Sequence, residues 1–363
     1  MLQGSKTPDP KTQTQFTLIT GSAPGGDGTI PDVYIKNKDG NQLAHFHDED
    51  GHLDNEAFRS FTVIDIISTT DSCTLTYVLA YVTLLMKNID AICLSGIMAN
   101  GNGGTYTWTG DMAEHCGAEW YASRFTFSGS NYPPKCMWLD SDGTNKIVAK
   151  GLTIHMPDFL GESGLIDQYR ENDDLLCKST KRMVFWPQDR HGVDFETFQP
   201  RLEYNSTGAI INANDTIDNF AECRDHDKGC RQERGYPDGT TLWWREGENK
   251  KRNHPRDFAE LPNSNPYPDH ITVSHMEGHS ARELCESLTS RGADFIAING
   301  KEKLFCDMAK KQLFDVCDAE VTTACFDYET MAFRDVGAKI RKRDLSYGDT
   351  IPERSYMTNE VWR

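Results

Sequence analysis

The strongest constraint on the fold is a succession of short extended runs separated by glycine-containing turns. Between residues 32 and 58, the runs DVYIKN, QLAHFHD and LDNEAF are separated by two Asp-Gly turns, at residues 39–40 and 50–51. Asp-Gly between alternating apolar residues is a strong hairpin signal, because glycine readily adopts the positive φ that tight turns need. Further extended runs, punctuated by glycines, continue from residue 96 to residue 159. Most of the chain is therefore predicted to be antiparallel β-sheet.

One early segment has a different pattern. Residues 61–67 (FTVIDII) are predicted as a strand, residues 75–86 (LTYVLAYVTLLM) as a buried helix, and residues 90–94 (DAICL) as a further strand. The intervening residues 68–72 (STTDS) offer helix N-cap side chains. The order extended, helical, extended predicts one βαβ-like unit. A transmembrane helix needs roughly eighteen or more apolar residues, so this shorter run predicts no transmembrane segment.

The C-terminal region has a regular order of predicted elements. Residues 270–274 (HITVS) are predicted as a strand, and residues 280–290 (SARELCESLTS) as a helix with Ser280 near its N-cap. A strand (FIAI) and a hairpin (LFCDMAKKQLFDVC) follow, and four cysteines fall in this stretch: Cys285, Cys306, Cys317 and Cys325. The predicted fold class is therefore α+β, mostly antiparallel β, with one βαβ-like unit and a small disulfide-stabilised C-terminal α/β module.

Composition divides the chain into five parts. The first residues are rich in Gly, Pro, Ser and Thr, and a later stretch is rich in proline and charge, which predicts loops there. The predicted parts are a flexible N-terminal tail (1–28), a main β-rich α+β domain (29–234), a loop or linker (235–268), the cysteine-containing module (269–334) and a charged tail (335–363).

The net charge, the cysteines and the N-glycosylation sequons indicate in which cellular compartment the protein is found. The net charge of −17 disfavours nucleic acid as a partner. Eleven cysteines occur without a CxxC pair, and Cys223 and Cys230 are spaced to close a short disulfide loop. N-glycosylation sequons begin at Asn205 and Asn214. Although the first residues show no signal peptide, this combination predicts a secreted, extracellular, acidic glycoprotein.

Three histidines and five carboxylates fall within LAHFHDEDGHLDNEAF, residues 43–58. An EF-hand register with Gly51 at loop position 6 places Phe46 and Ala57 where carboxylates are required, which excludes that site. His45 and His47 share one face of a strand, so they are candidate ligands for a divalent metal. A cupin-type site would also need a glutamate four or five residues after His47, where Gly51 and His52 stand instead. A metal pair, an acid/base pair and a solvated β-turn remain open, and no other cofactor is predicted.

Two other features are candidates for carbohydrate chemistry. Trp243 and Trp244 could stack on sugar rings, and the alternative is a loop anchor packed on the core. Acidic pairs such as Asp140 and Asp142 are candidates for glycosidase chemistry, which needs two carboxyls roughly 5 to 9.5 Å apart. The sequence contains no P-loop, GxGxxG or GxSxG motif, and no catalytic residue is assigned.

The runs GHSARELCES, RGADF and LFCDM…LFDVC, with the cysteines around them, resemble the cysteine-bearing C-terminal regions of secreted filamentous-fungal proteins. Some of those regions accompany chitinase-type enzymes. The resemblance covers about ninety residues of the 363. It implies secretion and disulfide pairing and no catalytic residue, since the chain lacks the DxxDxDxE motif of the chitinase barrel.

These features predict a secreted glycoprotein that acts by binding, with a cell-wall glycan or an extracellular host or surface protein as its partner. The alternative is a secreted carbohydrate-active hydrolase that uses an Asp/Glu acid–base pair. The second alternative is an intracellular protein with free thiols.

Overall fold

The computed structural model describes most of the chain. The described residues are 13–64, 67–70, 73–76, 79–101, 104–172, 174–177, 179, 181–186, 197–212, 265–339 and 350–363.

The described elements are mainly short strands. The first eleven are β1 (Gln13–Thr20), β2 (Gly28–Thr29), β3 (Asp32–Asn37), β4 (Gln42–Phe46), β5 (His52–Leu53), β6 (Phe58–Ile64), β7 (Ile67–Thr70), β8 (Cys73–Thr76), β9 (Leu79–Leu85), β10 (Ile92–Gly101) and β11 (Gly104–Thr109).

The remaining strands are β12 (Trp120–Tyr121), β13 (Cys136–Leu139), β14 (Gly151–His155), β15 (Met183–Trp186), β16 (His270–Ser274), β17 (Asp294–Ile298), β18 (Lys303–Asp307), β19 (Gln312–Asp315), β20 (Phe326–Asp327), β21 (Ala332–Phe333) and β22 (Thr358–Trp362). The helices are α1 (Asp111–His115), α2 (Ser163–Glu171), α3 (Asp174–Cys177) and α4 (Ala281–Glu286), with 3₁₀ turns at Thr144–Lys146 and Met156–Phe159.

Two antiparallel sheets form a sandwich. Sheet I has the order β12-β13-β10-β1-β6, with β11 also paired to β10, and sheet II has the order β15-β14-β9-β3-β4. Phe16 and Leu18 of β1 lie in one buried cluster with Val33 and Ile35 of β3. The apolar faces of the two sheets therefore share one core, as in sandwiches packed face to face. The prediction of a mostly antiparallel β fold is confirmed.

The predicted helix at residues 75–86 is wrong. Its residues contribute to β8 and β9, and β9 lies between β14 and β3 in sheet II. Every residue of β9 is buried. Val82 and Leu84 face the sandwich core, whereas Ala80 and Tyr81 pack with Phe198 on the opposite face. A strand that is buried on both faces loses its alternating pattern, so an apolar run does not distinguish it from a buried helix.

A βαβ unit does occur, but in the C-terminal module. Sheet III has the order β19-β18-β17-β16-β22, and β16 pairs in parallel with both β17 and β22. The helix α4 connects β16 to β17, and the Ser280 hydroxyl accepts a hydrogen bond from the Glu283 amide, as the N-cap prediction required. The predicted hairpin is β18 and β19.

Each of the two segments predicted as tails contains a strand of a sheet. Within the segment 1–28, residues 13–20 form β1, which pairs with both β10 and β6. Within the segment 335–363, residues 358–362 form β22, and the Trp362 side chain is fully buried. Their strand partners are far away in sequence, so neighbouring residues gave no signal of the pairing. The predicted linker 235–268 lies outside the described residues up to residue 264.

Disulfide bonds cross-link each part of the fold. Four are present in the described part of the chain: Cys93–Cys136, Cys116–Cys177, Cys285–Cys306 and Cys317–Cys325. The last two confirm that the C-terminal module is disulfide-stabilised. Cys223 and Cys230 lie outside the described residues.

The C-terminal module packs on the edge of sheet I. The Trp120 amide donates to the Thr289 carbonyl at 3.2 Å, and the Arg291 amide donates to the Trp120 carbonyl at 2.8 Å. The Trp138 indole N–H donates to the Arg291 carbonyl at 2.9 Å. Phe295 and Trp362 extend the same buried cluster. The module therefore covers an edge strand that would otherwise present unpaired backbone groups. No helix among the described residues is long and apolar enough to cross a membrane.

Trp362→Ala tests whether the C-terminal strand is part of the core. The indole packs against His279 and Phe295, with ring centroids 5.3 and 5.8 Å away. Its removal leaves a cavity, so we expect the free energy of unfolding to fall by about 3 to 5 kcal/mol in urea denaturation. Met357→Ala, at an 80% exposed side chain, is the control and should change stability by less than about 0.5 kcal/mol. An unchanged midpoint for Trp362→Ala would contradict the packing.

Because His279 is buried, we expect the free energy of unfolding to fall in acid. Its Nε2 donates to the Ser123 carbonyl at 3.0 Å, and its Nδ1 accepts from the Ser274 hydroxyl at 2.7 Å. Burial, helped by the charge of Lys135, lowers the pKa of His279 to about 4. The unfolded chain binds this proton more readily, so stability should fall as the pH drops from about 6.5 to about 4, by roughly 3 kcal/mol. Urea unfolding of wild type and His279→Gln across this range should give curves that converge in acid, and parallel curves would contradict the assignment.

Candidate functional site

A cavity of about 560 Å³ opens beside sheet I, between the short helices α1, α2 and α3. Its lining is mostly apolar. The apolar side chains come from α1, the second 3₁₀ turn, α2 and α3, and they are Met112, Phe159, Leu165, Ile166 and Leu176. The volume lies within the range of small-molecule sites in proteins, roughly 300 to 1,000 Å³.

A disulfide bond fixes two walls of this cavity. The helix α1 has five residues and α3 has four, and helices this short are not stable in water on their own. Cys116 directly follows α1 and Cys177 ends α3, and the two are bonded across 61 residues of sequence. Because both helices carry lining residues, the cross-link holds the cavity walls together.

The local sequence explains the position of Asp158 at the back of the cavity. The strand β14 ends at His155, and Pro157 is the second residue of the following 3₁₀ turn, where its fixed φ suits the first turn of a helix. Residues three apart align in a 3₁₀ turn. The Asp158 side chain therefore lies beside His155, and the His155 Nδ1 donates to its carboxylate at 3.0 Å.

Asp158 is the centre of a buried polar cluster. The Arg182 Nη1 donates to its Oδ1 at 3.1 Å and to the Tyr169 hydroxyl at 2.8 Å. The Tyr204 hydroxyl approaches the same carboxylate oxygen at 3.4 Å. The guanidinium of Arg182 also lies 5.2 Å from the centre of the Phe198 ring, in cation–π contact. Neither the Asp158 nor the Arg182 side chain has any exposed surface.

The cluster keeps its charges in the folded protein. Burial opposes ionisation of Asp158, but the charges of His155 and Arg182 outweigh it and lower the pKa of this carboxyl below its usual range. Burial, reinforced by the charge of Asp158, raises the pKa of Tyr169 far above its usual value. At neutral pH, Asp158 and Arg182 therefore form an ion pair and Tyr169 stays neutral. The pair forms a rigid back wall and does not present its charge to the cavity.

The structure brings His45 and His47 together on Asp32. The His47 Nδ1 lies 2.6 Å from Asp32 Oδ1, and the His45 Nε2 lies 3.2 Å from Asp32 Oδ2. Ala44 and Phe46 pack against the core, so the alternation predicted for this strand is correct. The Tyr34 ring stacks on His45 at 4.1 Å between centroids. Asp32 belongs to the neighbouring strand β3.

This cluster is a hydrogen-bonded pair of imidazoles on one carboxylate. Within the described ranges, no group of three or more His, Cys, Asp or Glu side chains is arranged to hold a metal ion. The hydrogen bond to Asp32 and the charge of that carboxylate raise the pKa of His47.

The other predicted site residues are partly described. Asn205 is exposed in a tight turn, and its side-chain oxygen accepts from the Thr207 amide and hydroxyl at 2.9 and 2.8 Å. The rest lie outside the described residues: Asn214, Cys223, Cys230, Trp243 and Trp244.

Sequence reasoning did not find the cavity or its buried cluster. The His-Met-Pro-Asp run at residues 155–158 was the available local signal, because proline ends a strand and starts a turn. Its partner Arg182 lies 24 residues away, and Tyr204 lies 46 residues away. No spacing rule connects such distant residues.

The comparisons with known proteins assign no family. No family model and no curated protein matches the chain. Among solved structures, a LOX (lipoxygenase) variant matches at 9% identity and a TM-score of 0.24, over 47% of this chain and 20% of that chain. The same LOX in complex with arachidonate matches at 9% identity and a TM-score of 0.23, with the same coverage. The chain spans one fifth of those structures' length, and TM-scores at this level carry no argument.

Asp32→Asn tests the histidine pair. Removing the negative charge should lower the pKa of His47 towards about 6.5, measured by NMR titration of the imidazole ring. Because the pKa is raised in the folded state, the pairing stabilises the fold below about pH 6.5 and is lost as the pH rises through the raised value. Asp48→Asn, which removes a weaker neighbouring charge, is the control. If His47 titrated identically in Asp32→Asn, the contact would be absent in solution.

Proposed function

We propose that the protein is a secreted binding protein and that the cavity between α1, α2 and α3 is its ligand site. The observation that carries the proposal is the cavity itself, with a volume of about 560 Å³ and a mostly apolar lining. Cavities of this kind are the usual place where proteins hold small molecules. We therefore propose a small apolar ligand.

The rigidity of the walls supports a binding role. The Cys116–Cys177 bond holds α1 to α3, and the Asp158–Arg182 pair fixes the turn that forms the back of the cavity. A site that already has its bound shape binds more tightly, because little ordering entropy remains to be lost.

Secretion is the compartment that best fits these features. Four disulfide bonds in the described ranges need an oxidising environment to form and persist. The exposed position of Asn205 leaves its side chain accessible for N-glycosylation. These observations favour the extracellular glycoprotein over the intracellular alternative with free thiols.

The cavity suits a small apolar molecule better than a glycan. Sugar hydroxyls would need hydrogen-bonding partners that an apolar lining does not supply. The pair proposed for sugar stacking, Trp243 and Trp244, lies outside the described residues. A cell-wall glycan or a surface protein as a further partner stays a prediction from the sequence.

Hydrolysis of carbohydrate has less support than binding. Glycosidases need two facing carboxyls, whereas the lining residues of the cavity that the structure describes include one, Asp158, whose side chain has no exposed surface. Asp140 and Asp142 belong to one turn, in which the Asp142 amide and the Thr144 hydroxyl donate to the Asp140 carboxylate. Burial raises the pKa of Asp140 to about 6, but the carboxylate is held within its own loop.

Ile166→Asp tests the ligand site. Ile166 lines the cavity and is 37% exposed, so a carboxylate there should spoil an apolar site without unfolding the protein. We expect wild type to bind the neutral fluorescent probe N-phenyl-1-naphthylamine saturably, and the variant to bind it at least about tenfold more weakly. Ile89→Asp, at a 72% exposed isoleucine outside the cavity, is the matched control. Equal binding by all three proteins, or none by wild type, would refute the site.

A further inference from the structure

The charged groups around the cavity either lie behind its lining or are exposed to solvent. The Asp158 carboxylate is buried behind the lining, where Arg182 balances its charge at 3.1 Å. Arg170 lies at the rim with a 77% exposed side chain, 3.7 Å from Asp167. His115 also lies at the exposed rim. Among the described lining residues, no charged side chain is therefore placed inside the cavity to pair with an ionic ligand.

An ionic ligand would bind weakly in such a site. An ion that enters an apolar cavity loses its hydration, and without a counter-ion nothing replaces that loss. At the exposed rim, water and salt screen the charge of Arg170, so an ionic group there gains little. The cavity therefore selects against both carboxylates and ammonium groups.

One hydroxyl is placed to recognise a polar group. Thr107 of β11 lines the cavity and is exposed, whereas its neighbours Tyr106 and Trp108 point into the core. A threonine hydroxyl both donates and accepts hydrogen bonds. It is therefore suited to a neutral group that does the same, such as the hydroxyl of an alcohol or a phenol.

We propose that the ligand is a neutral molecule with an apolar body and a single hydroxyl group, which hydrogen-bonds to Thr107 while the body contacts the apolar side chains of α1, α2 and α3. This inference rests on the proposed function of the cavity. It assigns the ligand to the hydrophobic alcohols and phenols and excludes fatty acids and amines of the same size.

A matched series of ligands tests the charge preference. 1-Pyrenemethanol, 1-pyrenecarboxylate and 1-pyrenemethylammonium have the same ring system and differ in the charge of one group. Titrated into the full chain at pH 7 with its disulfides intact, the alcohol should bind at least about tenfold more tightly than either ion. Equal affinity for the three, or tighter binding of an ion, would overturn the proposed ligand class.

Thr107→Val tests the hydroxyl contact. Valine has the shape of threonine and suits a strand, so the fold should be unaffected. We expect the variant to bind 1-pyrenemethanol about fivefold more weakly, with pyrene itself unaffected. Equal weakening of both, or of neither, would overturn the role of Thr107.

The outcomes separate the two proposals. If N-phenyl-1-naphthylamine binds and depends on Ile166 while the pyrene alcohol has no advantage, the ligand class is wrong and the binding site stands. If neither the probe nor any pyrene compound binds, the proposed function itself fails.

Discussion

The buried ion pair between Asp158 and Arg182 is the interaction on which the rest of the candidate site depends. Both charges are removed from water, so each needs the other, and loss of one partner of such a pair typically costs about 3 to 5 kcal/mol. The pair joins the turn after β14 to the start of β15. The Tyr169 hydroxyl accepts from Arg182 and the Tyr204 hydroxyl approaches Asp158, which brings α2 and a later turn to the pair. One ion pair thus assembles four separate segments of the chain.

The same pair explains why the cavity is apolar. The Arg182 Nη1 and the Asp158 carboxylate face one another with no exposed side-chain surface, and the cavity is lined mostly by apolar side chains. The helices in front are too short to pack tightly by themselves, and Cys116–Cys177 ties two of them at a fixed separation. A small gap between packed elements normally collapses or is filled. Here the cross-link and the buried pair fix its walls from two sides.

Local signals predicted the elements whose partners are close in sequence. The hairpin of β3 and β4, the hairpin of β18 and β19, and the helix capped by Ser280 all follow from turn and capping residues within a few positions. The predictions from the sequence were wrong for strands that are buried on both faces or that pair with distant parts of the chain. The strand β9 is covered on both faces, and β1 and β22 gain their partners from distant parts of the chain. Such pairings depend on the assembled fold, so no window of sequence contains them.

The two histidines and the cavity show why a dense run of ionisable residues is a poor guide to a site. His45 lies on the exposed face of the edge strand β4 and His47 directly follows it, and both imidazoles contact the carboxylate of Asp32. Charged residues cluster in sequence where solvent can hydrate them all. A ligand cavity instead needs few polar groups, each supplied by a different element of the fold. Asp158 and Thr107 therefore stand alone in sequence, and only the packing of their strands and turns makes them neighbours.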